Sequence, residues 1–482
     1  MNSSTLPNAV SLTSLPNSRM TSPVPSNTTS SITSDLSTTN NNHPESRTYY
    51  YLSPNAVKRL PAYQYHGEDQ SLLYKHVLSP FASWCVEKFT PKWLAPNAIT
   101  TLGLAWMISA YCIVWYWCPH LYEANTDVSN KYEVVVPQWI FLFNCTGMLI
   151  YQTLDNMDGK QARRTGSGSA LGLLFDHGCD AINSIFGSAN WIAAMALIPG
   201  CVDDLNGGEN VQSVSIVSEL FGGDGILAAL LILCPMMAFY VSTWEQYYTG
   251  KLTLPPFNGP SEGLLLGASL SLISFLWGPM YWQSTSVADS VIKSVGSFEY
   301  MQGRVRNLDL IVLASVVGLF REVGEKMFSV ARRYGVTSLW TTVPNFLMMA
   351  STLVMVHFDP TLLLRRPRTM MHLIAGLFTE QTTQLMLDHI VEENYEVQKR
   401  WSLLPQIILA GSMMMGHSFP VEVLDTMLFV YTTGLWVYLV FKIRVQIFEI
   451  CDVLGIWCFD ITTPHPKRQV DVIVDESVKK TN

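Results

Sequence analysis

Residues 155–180 read DNMDGKQARRTGSGSALGLLFDHGCD, and the apolar runs on both sides of this stretch place it at or inside a membrane. Asp155 and Asp158 are three residues apart, and Asp176 and Asp180 are four apart. Each pair therefore shares one face if its segment is helical. Carboxylates at membrane depth are costly and usually mark a site. Four oxygen ligands converging on one point suit hard divalent cations and a phosphorylated substrate.

The rest of the chain supports a membrane setting. Of 482 residues, 49% are hydrophobic and only 14% charged, against about 25% charged in soluble domains. A crossing needs roughly 20 mainly apolar residues. On that rule the chain is an all-α, polytopic protein with about ten spans, near 99–118, 136–155, 170–198, 222–243, 262–283, 308–321, 342–358, 369–388, 403–419 and 424–443. Residues 70–94 mix apolar, aromatic and lysine side chains and predict an amphipathic helix lying in the interface, broken at Pro80 and Pro91. Residues 1–45 are rich in Ser, Thr, Asn and Pro and read as disordered. The expected organisation is thus a tail (1–45), an interfacial segment (46–98), a transmembrane catalytic domain (99–445) and a C-terminal tail (446–482).

Charge placement sets the expected topology. Lys88, Lys92, Lys160, Arg163, Arg164, Arg332, Arg333, Lys399, Arg400, Lys442 and Arg444 fall on one side, which the positive-inside rule makes the cytosol, with both termini. Arg365, Arg366 and Arg368 break that pattern. A net charge of −8 without a basic stripe argues against nucleic acid as a partner. Nine scattered cysteines without a CxxC pair imply neither a zinc ribbon nor a disulfide framework.

As a pattern, the opening stretch is D-x2-D-G-x2-A-R-x8-G-x3-D-x3-D, filled by Asp155, Asp158, Gly159, Ala162, Arg163, Gly172, Asp176 and Asp180. This resembles the signature of the CDP-alcohol phosphatidyltransferase family at every defining position. The resemblance implies two Mg²⁺ or Mn²⁺ ions on Asp155, Asp158, Asp176 and Asp180, with Gly159, Lys160, Ala162, Arg163 and Gly172 lining the CDP-alcohol site. For Lys160 and Arg164, a basic loop expected from topology alone is the competing reading. PNAIT (Pro96 to Thr100) resembles the family's box at the nucleotide side of the site, and Asn97 is also a candidate N-cap.

The His-Gly-Cys insert between Asp176 and Asp180 resembles the choline/ethanolamine phosphotransferase branch. That resemblance makes His177 the general base, oriented by a glutamate here matched by Glu262 in FNGPSEG. Trp244 and Tyr247 match an aromatic cluster of the same branch, but they also fit a membrane belt. Arg321, Glu322, Glu325, Glu380, Gln381 and Asp388 are polar groups in apolar surroundings, lining a lipid path or pairing with one another. The expected reaction moves phosphocholine or phosphoethanolamine from CDP-choline or CDP-ethanolamine to diacylglycerol, releasing CMP. Alternatives are an inositol- or glycerol-phosphate acceptor, or a cation-coupled transporter. Family resemblance implies a homodimer among membrane lipids. Lys479 and Lys480, third and fourth from the end, resemble an endoplasmic reticulum retrieval signal, with the Golgi as the other location.

Overall fold

Glycine ends one helix and serine begins the next at the turn that organises the molecule. The computed structural model describes residues 48–124, 136–197, 215–256, 259–296 and 299–467. Its principal helices are α1 (Ser79–Phe89), α2 (Pro96–Trp117), α3 (Trp139–Thr165), α4 (Ala170–Ala194), α5 (Asp224–Thr249) and α6 (Leu264–Trp277). They continue with α7 (Asn307–Tyr334), α8 (Val343–Phe358), α9 (Pro367–Ile390), α10 (Leu404–Met414) and α11 (Val421–Leu454). The one departure from an all-α chain among the described residues is a short parallel pair, β1 (Gly67–Asp69) with β2 (Leu252–Leu254), in the register Gly67 to Leu252. Residues from Tyr49 onward cluster as one unit. The sequence-predicted tail 1–45 and the terminal lysines lie outside the described residues.

Each of the ten predicted apolar segments coincides with one of α2 to α11. Five stretches among the described residues are long and apolar enough to cross a membrane: Pro96–Trp117, Asp224–Thr249, Gly259–Trp277, Val336–Phe358 and Val421–Leu454. The chain is therefore a polytopic membrane protein with at least five such helices. Of the others, α10 is short, while α3, α4, α7 and α9 carry polar and charged groups along their length.

One local reading changes. The chain is already helical before Pro80, passing through a π turn at Tyr74–Leu78 into α1. Pro80 follows closely on that π turn, whose wider hydrogen-bond pattern accommodates it, and it does not break the segment. Thr90, just before Pro91, is extended and ends α1, as expected. The helix buries Ala82, Cys85 and Val86 against Ile99 and Met157, and leaves Phe81, Trp84 and Phe89 exposed in a line of ring contacts.

The charges inside the bundle are matched locally. Arg365 pairs with Asp359 and Asp425, and Arg366 with Asp425. Arg368 donates to the Cys118 and Pro119 carbonyls and lies over the Tyr111 and Trp115 rings. These contacts give the three arginines that broke the charge pattern a structural role. Lys326 pairs with Glu322 and donates to Ser242. Buried Glu380 accepts from Arg400 at 2.7 Å and Lys442 at 3.0 Å, both on one oxygen, tying α9 to α11 and to the segment before α10.

Removing one member of a buried ion cluster leaves its partners charged and unpaired, at a cost of about 3–5 kcal/mol. Glu380→Ala should therefore lower the melting midpoint in detergent sharply. Arg321→Ala breaks an exposed pair with Glu325, worth at most about 1 kcal/mol, and should leave the midpoint nearly unchanged.

Candidate active site

The site is built on the hairpin of α3 and α4. Gly166 ends α3 in the left-handed conformation (φ 67°), and Ser169 caps α4 by accepting from Gly172 N. Asp155 lies ten residues before Thr165 and Asp180 ten after Ala170. Both stand about 15 Å from the turn, level with each other. The sequence placed Asp155 and Asp158 at the end of a span, and α3 runs on as a helix past both, so Gly159, Lys160, Ala162 and Arg163 are helical and the connection is only 166–169. The two helices of the hairpin touch each other little; each packs mainly on other helices, α2 being common to both. A cleft is left between their acidic faces.

Oxygens of Asp155, Asp176 and Asp180 lie within 4.8 Å of one another. Asp158 stands next to this group, interacting with Asp176 and Asp180 and accepting from Thr100 Oγ1 of α2 at 2.5 Å. Tyr151, one turn before Asp155, donates its hydroxyl to Asp180. Asp176 Oδ1 is buried without a hydrogen-bond partner. Carboxylates this close repel, and a buried orphan oxygen carries a further penalty. A divalent cation relieves both, and an all-oxygen donor set fits Mg²⁺ or Mn²⁺. This small acidic cluster can hold such an ion.

His177 is buried, with Nδ1 3.8 Å from Asp176 Oδ2 and its ring 5.9 Å from that of Phe239. The nitrogen has no hydrogen-bond partner of normal geometry, although the Leu173 carbonyl one turn earlier acts on the ring. Glu262 sits in a π turn, Gly259–Gly263, that leads into α6. Gln152, three residues before Asp155, donates to the carbonyls of Pro260 and Ser261, which carries that turn toward the acidic cleft. Ser71 donates to Glu262 at 2.5 Å.

The remaining residues named from sequence divide. Asn97 is inside α2 rather than capping it; its amide donates to the Cys458 carbonyl at 3.0 Å. Its Oδ1 also faces Gly172, 3.7 Å from where a Cβ would stand. A side chain at position 159 would meet only the Arg163 guanidinium, 3.6 Å away. Lys160 donates to Ser79 at 2.7 Å, and Arg164 to the Val86 and Thr90 carbonyls at 2.8 and 2.7 Å. Both bind the α1 segment, whereas Arg163 is exposed. Trp244 and Tyr247 are buried, donating to Thr341 Oγ1 and the Glu393 carbonyl, so they form no membrane belt.

Sequence reasoning missed a strap. Residues 49–75 run from α11 across the end of α9 to the turn before α6. Glu449 accepts from the backbone of Tyr50, Tyr51 and Leu52, Ser53 donates to Glu393, and Arg59 pairs with Glu392. Tyr63 meets His389 at 3.4 Å, and β1 then pairs with β2. Between those last two anchors, Tyr65 comes within electrostatic reach of Asp176 and Arg163. Burial of its phenol end, helped by Asp176, pushes that group up to about 12. Only the spacing of Tyr63 and Tyr65 before Gly67 was visible in the sequence.

Comparison with known proteins is consistent with this geometry. Residues 93–202 match the family model described as CDP-alcohol phosphatidyltransferase. The chain is 26% identical over 439 residues to "Uncharacterized CDP-alcohol phosphatidyltransferase class-I family protein 3" of Dictyostelium discoideum, covering 86% of this chain and 99% of that one. It is 28% identical over 426 residues to "Choline/ethanolaminephosphotransferase 1" of Arabidopsis thaliana, covering 86% and 98%. With "Choline/ethanolaminephosphotransferase 1" of Saccharomyces cerevisiae the identity is 27% over 383 residues, covering 75% and 84%.

A bound ligand stabilises the folded state in proportion to the logarithm of its saturation, by about 2.7 kcal/mol at 100 times its Kd. Mg²⁺ or Mn²⁺ should raise the melting midpoint of the purified protein. Asp176→Asn should remove most of that shift without lowering the metal-free midpoint. An undiminished shift in the variant would show that the cation binds elsewhere.

Proposed function

We propose that this chain is a CDP-alcohol phosphatidyltransferase class-I enzyme of the choline/ethanolamine phosphotransferase branch, and that it transfers phosphocholine or phosphoethanolamine from the CDP-alcohol to diacylglycerol, yielding phospholipid and CMP. The observation that carries the reading is His177 beside Asp176, a buried imidazole next to an acidic cluster within a membrane protein.

In this reading α2 to α11 all cross the membrane and α1 lies in its interface, with the cleft at the cytosolic side. The setting suits the chemistry, because one substrate dissolves in water and the other in the bilayer. Asp155, Asp158, Asp176 and Asp180 would hold two divalent cations. When bound, these ions neutralise the pyrophosphate and the charge that develops on the leaving CMP. Thr100 and Tyr151 fix the carboxylates of Asp158 and Asp180 by donating to them. Asn97, Gly159, Ala162, Arg163 and Gly172 line the CDP-alcohol side. Lys160 contributes there by holding the α1 segment through Ser79.

His177 takes the proton of the diacylglycerol hydroxyl. In the neutral imidazole one ring nitrogen carries a lone pair free for this task. The acceptor oxygen then bonds to the alcohol-bearing phosphorus as the bond from that phosphorus to the CMP oxygen breaks. Glu262, held by Ser71, orients the base. The enzyme works as a homodimer in the endoplasmic reticulum membrane.

The purified protein should form labelled phospholipid from CDP-choline or CDP-ethanolamine, diacylglycerol and Mg²⁺. Asp176→Ala should abolish product. His177→Ala should lower kcat by about 10²- to 10⁴-fold, the usual contribution of a positioned base, with little change in CDP-alcohol affinity. Full activity in Asp176→Ala, or none in the wild type with either donor, would sink this function.

A further inference from the structure

We propose that Tyr65 is a substrate-contact residue whose ring covers the pyrimidine of the CDP-alcohol, held there by the strap at residues 49–75. The assignment rests on the phosphotransferase reading and adds to it a contact from outside the signature stretch.

Position comes first. Tyr63 is tied to His389 at the end of α9, with ring centroids 5.8 Å apart, edge to face. Gly67 begins the strand that pairs with Leu252. Tyr65 is thus pinned two residues from an anchor on either side, and its charged neighbours are Asp176 of the acidic cluster, Arg163 of α3 and Asp69. Tyr74 also stands near Tyr65, and Lys160 lies 6.0 Å from the centroid of the Tyr74 ring. Tyr65 therefore has a carboxylate of the cluster and the Arg163 guanidinium as neighbours, with a second aromatic ring close by. That composition suits a nucleoside diphosphate. Bases stack on aromatic faces and phosphates meet cations.

Orientation comes second. Half of Tyr65's surface is open, while its phenol end is enclosed. The ring turns back over Gly67, and a Cβ at that position would stand 2.0 Å from the Tyr65 hydroxyl. Only glycine leaves the ring this place. The other half of the side chain's surface is open to a flat ligand. Ser71, farther along the strap, is buried and donates to Glu262, so the same segment touches both ends of the proposed machinery.

The test uses the full-length protein in lipid nanodiscs, with separate KM values for the CDP-alcohol and diacylglycerol, and CDP binding with Mg²⁺ followed by calorimetry. Tyr65→Ala should raise KM for the CDP-alcohol and weaken CDP binding by about tenfold or more, as expected for loss of one stacking contact. Its KM for diacylglycerol should stay within about twofold. Tyr65→Phe should restore both values, because the ring and not the hydroxyl makes the contact. Gly67→Ala, which must displace the ring, should behave like Tyr65→Ala. An unchanged CDP affinity in Tyr65→Ala overturns the assignment. So does an equal rise in both KM values, or failure of the Phe variant to restore binding. A wild type that binds CDP but makes no phospholipid would sink the activity alone, and the CDP affinities would still decide Tyr65.

Discussion

Four carboxylates facing one cleft in an apolar bundle impose the constraint on which this molecule depends. Like charges at such separations repel strongly where the dielectric is low. The fold meets this cost in three ways. It keeps α3 and α4 apart by packing each of them on other helices, with α2 common to both. It supplies neutral donors, Thr100 to Asp158 and Tyr151 to Asp180. It leaves Asp176 Oδ1 buried with no hydrogen-bond donor, a place that a bound cation would satisfy.

The surrounding bundle follows from the same need for fixed positions. Three segments are locked around the cleft by hydrogen bonds to main-chain carbonyls, from Gln152, from Arg164 and from Asn97. Farther out, Glu380 joins Arg400 and Lys442 in a buried cluster, which ties α9 to the last helix. Such a cluster is weak as a source of net stability but strong as a constraint on geometry, since breaking it strands a charge. α9 is buried along nearly its whole length, and Thr383 on it packs against Gly178, next to His177. The helix that bears the candidate base is therefore packed firmly on α9.

Several basic residues show why composition alone misleads. Lys160, Arg163 and Arg164 look like one phosphate-binding patch on paper. A helix turns 100° per residue, so neighbours in sequence diverge in space. Lys160 and Arg164, four apart, face α1 and bind it, while Arg163 points elsewhere. Arg365, Arg366 and Arg368 look like a topological exception, yet Asp359, Asp425 and two carbonyls account for them.

The amino-acid sequence alone determined the helical class, the ten apolar segments and the acidic hairpin. Those properties are local: run length, three- and four-residue spacing, and Gly-Ser punctuation at 166–169. It also singled out His177, because that residue lies inside the hairpin's own pattern. Tertiary structure alone decided that Asp158 stands beside the closest three carboxylates and is held by Thr100. It likewise turned Asn97 toward Cys458, buried Trp244 and Tyr247, and drew residues 49–75 across the site. Each of these depends on contacts between residues tens to hundreds of positions apart, where no periodicity carries the information. The four carboxylates were legible because one hairpin holds them all, and the strap was not, because its anchors are spread over the length of the chain.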